Sequence, residues 1–441
     1  MKFDKSFIFG VATAAYQIEG AFNEDGRTAS IWDTFSKTEG KVYNMENGDI
    51  ACDHYHRYKE DVKIIKELGA DCYRLSISWP RIFPEHGRYN PSGMAFYKEL
   101  LTELKQNGIK TAVTLYHWDL PQWAQSIGGW EARESADWFL SFARQCFTEL
   151  DDLVDMWITH NEPWCAAILS NAMGVHAPGK KNIAAALKVG HHILLSHGMA
   201  VRLYRELHLK KPIGITLNLT PAYAAGNSFA DILAASNHDG TSNRWFLEPL
   251  FKGSYPFDIA NLYAARVGNF DFIKEGDFDV ITEKCDFLGI NYYTRSLVEF
   301  DPMSLTLTSG ACSSSPKTDM GWDITPESLI DMVKIVRERY TSLPVYITEN
   351  GSAWPDIPED GCIHDKNRID YLDSHLKAVA KMNEMGLNIA GYFCWSLMDN
   401  FEWSFGYSKR FGIVYVDYET QARIKKDSFY RYRQIIQERK L

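Results

Sequence analysis

Short apolar runs rich in β-branched residues recur along the chain, each giving way to a stretch with the period of an amphipathic helix. Eight such runs stand out, at residues 7–13, 71–78, 110–116, 154–159, 212–218, 285–291, 343–348 and 389–396. Tyr58, Val62, Ile65 and Leu68 form one helical stripe, and Tyr97, Leu100, Leu101 and Leu104 a second that stops at Asn107-Gly108. Trp138, Phe142, Cys146 and Leu150 form a third; Ile369, Leu372, Leu376, Val379 and Met382 form a fourth. Strand–helix alternation implies parallel pairing through right-handed crossovers. Eight such units favour closure into a (β/α)8 TIM barrel over an open sheet. No glycine-rich phosphate loop follows an early strand, which counts against a dinucleotide-binding sheet. No linker divides the chain, so one catalytic barrel domain over residues 1–441, with extended loops at its C-terminal face, is the expectation. The most loop-like segment, 296–322, follows the sixth strand and should overhang that face, as a functional lid or as disordered chain.

Composition narrows the function classes. The formal charge of −10, from 47 basic and 57 acidic residues, would repel a phosphate backbone, so nucleic acid is not an expected partner. Lys425-Lys426 beside Arg423 is too short a basic run to be more than a solvated patch. The eight cysteines form no CxxC pair and read as reduced, mostly buried thiols of a cytoplasmic protein. The first ten residues hold no apolar stretch of signal-peptide length, and no run of eighteen apolar residues predicts a membrane span. The sequons at Asn218 and Asn350 are read as coincidence. Aromatics make up 14% of the chain, which fits either a large aromatic core or a sugar site whose indoles stack on pyranose faces. Composition leaves both open.

Barrels of this kind draw their active-site groups from the carboxyl ends of the strands. The fourth strand ends in Thr159-His160-Asn161-Glu162-Pro163 and the seventh in Thr348-Glu349-Asn350-Gly351. A glutamate at the end of an apolar strand is costly to bury without a partner or a task. Two at one barrel mouth suit glycoside hydrolysis, where one carboxyl protonates the leaving oxygen and the other attacks or stabilises the anomeric carbon.

Seven segments, in order, carry a resemblance that covers nearly the whole chain. They are Phe9-Gly-Val-Ala-Thr-Ala-Ala-Tyr-Gln-Ile-Glu-Gly-Ala, Tyr73-Arg-Leu-Ser-Ile-Ser-Trp-Pro-Arg-Ile, Tyr116-His-Trp-Asp-Leu-Pro and His160-Asn-Glu-Pro-Trp, followed by Asn291-Tyr-Tyr-Thr, Ile347-Thr-Glu-Asn-Gly and Trp395-Ser-Leu-Met-Asp-Asn-Phe-Glu-Trp. The sequence resembles the glycoside hydrolase family 1 β-glucosidases. That resemblance implies a retaining β-glucosidase acting on terminal non-reducing β-D-glucosyl residues of small β-glucosides and cello-oligosaccharides. It further implies a covalent glycosyl-enzyme intermediate, with side activity on β-galactosides or β-fucosides. Glu162 matches the acid/base and Glu349 the nucleophile. Asn161 matches the residue that bonds the sugar 2-hydroxyl, and Arg74 and Tyr293 those that hydrogen-bond the nucleophile. Gln17, His117, Glu402 and Trp403 match contacts to the glycone hydroxyls, and Trp395 the ring on which the sugar stacks. Trp164 and Trp322 resemble aromatics that flank the aglycone.

Neighbouring types are separated by single positions. Thioglucosidase relatives carry Gln at the acid/base, where this chain keeps Glu162. The 6-phospho-β-glucosidase relatives carry Ser at the position of Glu402, with a downstream Lys and Tyr that grip the phosphate. Lys409 suits such a grip, but Phe411 stands where it wants Tyr, and the free sugar is favoured. A sugar-binding protein without catalysis has no use for both glutamates. A transglycosylating relative would share every residue of the first half-reaction and stays an alternative. His54, His56, His191, His192 and His197 lack zinc-motif spacing and are assigned to structure, and no metal or cofactor is expected. Oligomeric state is left open.

Overall fold

A computed structural model describes residues 1–441. All eight expected strands form: β1 (Ile8–Ala12), β2 (Cys72–Ser76), β3 (Lys110–Tyr116), β4 (Met156–Asn161), β5 (Ile213–Asn218), β6 (Phe287–Asn291), β7 (Val345–Asn350) and β8 (Ile389–Trp395). They pair in parallel, each with its neighbour in sequence, and β1 closes on β8 to complete the barrel. β4 and β7 each run two residues further than the apolar runs suggest, which places Asn161 and Glu349 within the ladder. Ala12, Ala112, Met156, Ile158, Phe287 and Phe393 belong to a cluster that fills the barrel interior, so it is a packed core rather than a pore. A larger continuous core lies between strands and helices.

Helices α1 (His54–Leu68), α2 (Pro91–Gln106), α3 (Ser135–Leu150) and α4 (Ile183–Glu206) follow the first four strands. The return from β5 is broken into α5 (Phe229–Asp239), α6 (Trp245–Lys252) and α7 (Phe257–Val267), and α8 (Pro326–Arg339), α9 (Lys366–Glu384) and α10 (Asp427–Glu438) complete the ring. The stripes of α1 and α2 are buried as expected. On α3, Phe142, Cys146 and Leu150 are buried as expected, but at the first turn Phe139 is fully covered and Trp138 only half-buried. Of the fourth stripe, Ile369 alone is half-buried.

Two expectations are corrected. Segment 296–322 is not structureless: Ser296–Phe300 and Thr308–Gly310 form an antiparallel pair, and the first also pairs in parallel with Ala222–Ala224 after β5. Two of these strands, Ala222–Ala224 and Thr308–Gly310, have only three residues, below the length at which alternation shows in a sequence. Nor are Arg423 and Lys426 a solvated patch. Arg423 bonds Asp61 at 2.9 Å, both side chains covered. Lys426 is fully buried between Asp356 at 2.5 Å and Asp399 at 2.7 Å. Arg368 joins Asp356 and Asp365, and Arg410 joins Asp399 at 2.7 Å. Three cations and three carboxylates therefore balance in one network, which ties the segments after β7 and β8 to the start of α10. Of the five histidines assigned to structure, His54, His191, His192 and His197 are buried in hydrogen bonds, and His56 is exposed between Asp53 and Glu24.

Candidate active site

Glu162 directly follows β4, and its left-handed backbone (φ +50°) turns the carboxyl off the strand line. That conformation is costly for a residue with a Cβ and persists where surrounding structure enforces it. Glu349 sits inside β7. Directly after that strand, a side chain at Gly351 would collide with the Trp395 carbonyl oxygen, so the ends of β7 and β8 can meet only because this residue is glycine.

The two carboxyls face one cavity of about 960 Å³. Its buried end is lined by His117, Glu162, Glu349, Trp395 and Trp403, and its exposed end by Ser309, Gly310, Lys317 and Gly321. The barrel interior beneath is filled, so the cavity opens only on the C-terminal side. Trp164, Tyr293, Trp322 and Glu402 also line it, whereas Gln17, Arg74 and Asn161 lie behind the wall. Trp322 is half-buried, with its ring 5.2 Å from Tyr293 and 6.1 Å from Phe411.

Glu349 accepts from Arg74 Nη1 at 2.5 Å on Oε1 and from the Tyr293 hydroxyl at 2.6 Å on Oε2. A guanidinium and a phenol on separate oxygens suit a carboxylate. Glu162 is held differently. Asn291 Nδ2 donates to its Oε1 at 2.6 Å, and the Cys165 thiol lies 3.0 Å from its Oε2. Burial, then the charge of Glu349, push the Glu162 carboxyl up to about 7, with Cys165, Asn291 and Arg74 pulling the other way.

Arg74 Nη2 also donates to Asn161 Oδ1 at 2.6 Å, which turns the Asn161 amide nitrogen toward His117 Nε2 at 3.1 Å. His117 Nε2 must therefore accept, and the proton sits on Nδ1, which has no protein partner. Burial, with Arg74 adding to it, holds this imidazole well below its usual range and keeps it neutral. Gln17 uses both amide hydrogens on Asn400 Oδ1 and Phe401 O, each at 2.9 Å, so only Oε1 remains for a ligand. Glu402 Oε2 is covered and unpartnered, and burial followed by the charges of Glu349 and Glu162 raises this carboxyl to about 8. The cavity thus presents a donor at His117 and a carboxyl at Glu402 beside two buried indoles, with the free Gln17 oxygen behind its wall.

The cations near Glu402 are already engaged. Lys409 Nζ donates to Asp319 O and Oδ2, both at 2.8 Å, and Arg410 belongs to the buried network. Sequence reasoning missed two residues that touch Glu162. Asn291 stands in the Asn291-Tyr-Tyr-Thr segment and ends β6 as Asn161 ends β4, and Cys165 follows the Glu162 segment as a buried thiol.

The model of "Glycosyl hydrolase family 1" matches residues 1–441. A "Beta-glucosidase A" of Acetivibrio thermocellus is 47% identical over 439 residues, 98% of each chain. A "Beta-glucosidase A" of Thermotoga maritima is 48% identical, covering 99% of this chain and 98% of its own. The crystal structure of the GH1 beta-glucosidase from Exiguobacterium antarcticum B7 superposes with a TM-score of 0.98 at 58% identity, covering 99% of this chain and 98% of that one. With the family model spanning every residue and the barrel and its paired carboxyls in place, the chain belongs to glycosyl hydrolase family 1.

Proposed function

We propose that this chain, a retaining glycoside hydrolase of the β-glucosidase kind, divides its double displacement between Glu349 as nucleophile and Glu162 as acid/base. Its substrates on this reading are small β-glucosides and cello-oligosaccharides, cut at the terminal non-reducing β-D-glucosyl residue by one catalytic domain spanning the chain. The supporting observation is the unlike setting of two carboxyls on one cavity: Glu349 bonded by a cation and a phenol, Glu162 buried beside an amide and a thiol. In the first step Glu349 bonds to the anomeric carbon as the glycosidic C–O bond breaks, and Glu162 gives its proton to the departing oxygen. In the second, Glu162 takes a proton from water, the water oxygen bonds to the anomeric carbon, and Glu349 leaves. Asn161 orients toward the sugar 2-hydroxyl; Gln17, His117, Glu402 and Trp403 hold the other hydroxyls; Trp395 supports the ring. Trp164 and Trp322 flank the aglycone. The eight free cysteines fit a reducing, cytoplasmic setting.

Trapping with a 2-deoxy-2-fluoro glycoside tests the assignment. Glu349→Ala should take up no covalent label, whereas Glu162→Ala should still be labelled when the leaving group is good, since such a group needs little protonation. Equal loss of labelling in both variants would refute the division of roles.

A further inference from the structure

Arg74, Asn161, Asn291 and Glu162 are joined by hydrogen bonds at the cavity wall, and the donor of each bond is fixed from Arg74 outward. Arg74 can only donate, so the Asn161 oxygen that it meets at 2.6 Å must be Oδ1. Asn291 approaches that same Oδ1 at 3.0 Å, and must present its nitrogen there. The other hydrogen of that nitrogen points to Glu162 Oε1 at 2.6 Å. The Asn291 oxygen in turn accepts from the Thr348 hydroxyl at 2.7 Å, in keeping with this orientation and adjacent to the nucleophile in sequence. Glu162 Oε1 is therefore bound to an obligate donor. A hydrogen on that oxygen would face the amide hydrogen head-on. The second oxygen, Oε2, has the Cys165 thiol at 3.0 Å, a group that can donate to a carboxylate and accept weakly from a carboxylic acid.

We propose that Asn291 is a positioning residue that confines the proton of Glu162 to Oε2, and that the Cys165 thiol is the two-way partner that tolerates this oxygen in both states. The assignment rests on Glu162 being the acid/base. Over one turnover, the proton on Oε2 goes to the leaving oxygen, the carboxylate persists through the glycosyl-enzyme stage, and the proton that water gives up returns to Oε2. Asn291 donates to Oε1 throughout. A partner of fixed polarity at Oε2 would oppose one half of that cycle; a thiol opposes neither. The same amide chain begins at the guanidinium that bonds Glu349, so one cation orients both carboxyls.

The test compares kcat/KM for 2,4-dinitrophenyl β-glucoside, whose leaving group needs little protonation, with that for an alkyl β-glucoside, whose leaving group needs it fully. Asn291→Ala should lower the alkyl value at least about 10-fold more than the dinitrophenyl value. It should also move the basic limb of the alkyl pH profile upward, because a donor to the carboxylate is lost. A second pair of variants carries the test should Asn291→Ala fold poorly. Cys165→Val, which removes the donor at similar volume, should move the basic limb upward, and Cys165→Ser, which keeps a two-way hydroxyl, should hold it below the valine variant. Equal loss on both substrates in Asn291→Ala, or coincident profiles for the two Cys165 variants, overturns the proposal. Glu162→Ala, assayed alongside, separates the two levels. A loss there that ignores the leaving group overturns the acid/base assignment itself, whereas a selective loss there with a uniform loss in Asn291→Ala overturns only the positioning.

Discussion

Three carboxyl groups share the sugar pocket, and their neighbours divide them. With Glu162, the proposed acid, raised to about 7, the protonated form needed for the first step is lost as pH climbs through neutrality. The activity profile should be bell-shaped with its basic limb near that value, each limb belonging partly to the coupled pair. Glu162→Gln, assayed on an activated aryl glucoside, should flatten the basic limb; an unchanged limb would assign the acid elsewhere. Glu402 modifies the expected discrimination against phosphate. A carboxyl raised to about 8 is largely protonated in the empty site at pH 7, so it repels a 6-phosphate less than a full carboxylate would. The expected discrimination rests instead on the engagement of the neighbouring cations, since Asp319 holds Lys409 and Asp399 holds Arg410. The free glucoside should be preferred over its 6-phosphate by at least about 100-fold in kcat/KM, or roughly 2.7 kcal/mol. Equal turnover of the two would overturn that specificity. Glu162 and Glu349 were legible in the sequence because a charge at the end of an apolar strand is conspicuous. Asn291 and Cys165 were not, because an amide or a thiol in such a run is ordinary and only the fold shows which oxygen each one meets.

Among the elements, the segments after β7 and β8 depend on buried charges outside the cavity lining. Asp356 and Asp399 are drawn together by Lys426, and Asp399 also accepts from the backbone N–H of Gly412 at 3.0 Å, next to cavity-lining Phe411. Removing one member of a buried, balanced network leaves an uncompensated charge, with a typical cost of about 3–5 kcal/mol. Lys426→Met should lose stability on that scale in denaturant unfolding. It should also raise KM for aryl glucosides, because Glu402 and Trp403 lie in the segment that the network holds. A variant as stable as the parent would show that the network contributes little. The barrel strands were readable because each buries both faces and so appears as a continuous apolar run. Lys426 was unreadable for the opposite reason: its partners lie 27 and 70 positions away, and locally it looks like any surface lysine. On α3 only the first member of the stripe differs, Phe139 taking the buried place expected of Trp138, because two adjacent aromatics flank the same face and packing decides between them.

For the whole molecule, buried carboxyls set how stability responds to pH. Asp119 is 1% exposed, neither of its oxygens has a partner, and burial, with Glu19 adding to it, raises it to about 8 from 3.8. The folded state thus binds a proton that the unfolded chain releases between those two values. Stability from this group is intact below about 4 and is lost as pH rises through 8, with a penalty of at most roughly 6 kcal/mol. Asp119→Asn should therefore raise the melting temperature at pH 8 and leave it nearly unchanged at pH 4. A gain that does not grow with pH would mean that Asp119 is not the titrating group.

The filled barrel floor also imposes an order of events. Met156, Ile158, Phe287 and Phe393 close the way beneath the sugar, so every molecule arrives and departs through the same side. On the proposed placement of the sugar against Trp395, a glucosyl unit is first in and last out. The leaving group must clear the outer half before water can reach the bound sugar, and any second sugar waiting there stands in the water's path. The same queue that makes the protein cut one unit at a time from a chain end therefore makes its own products its nearest competitors.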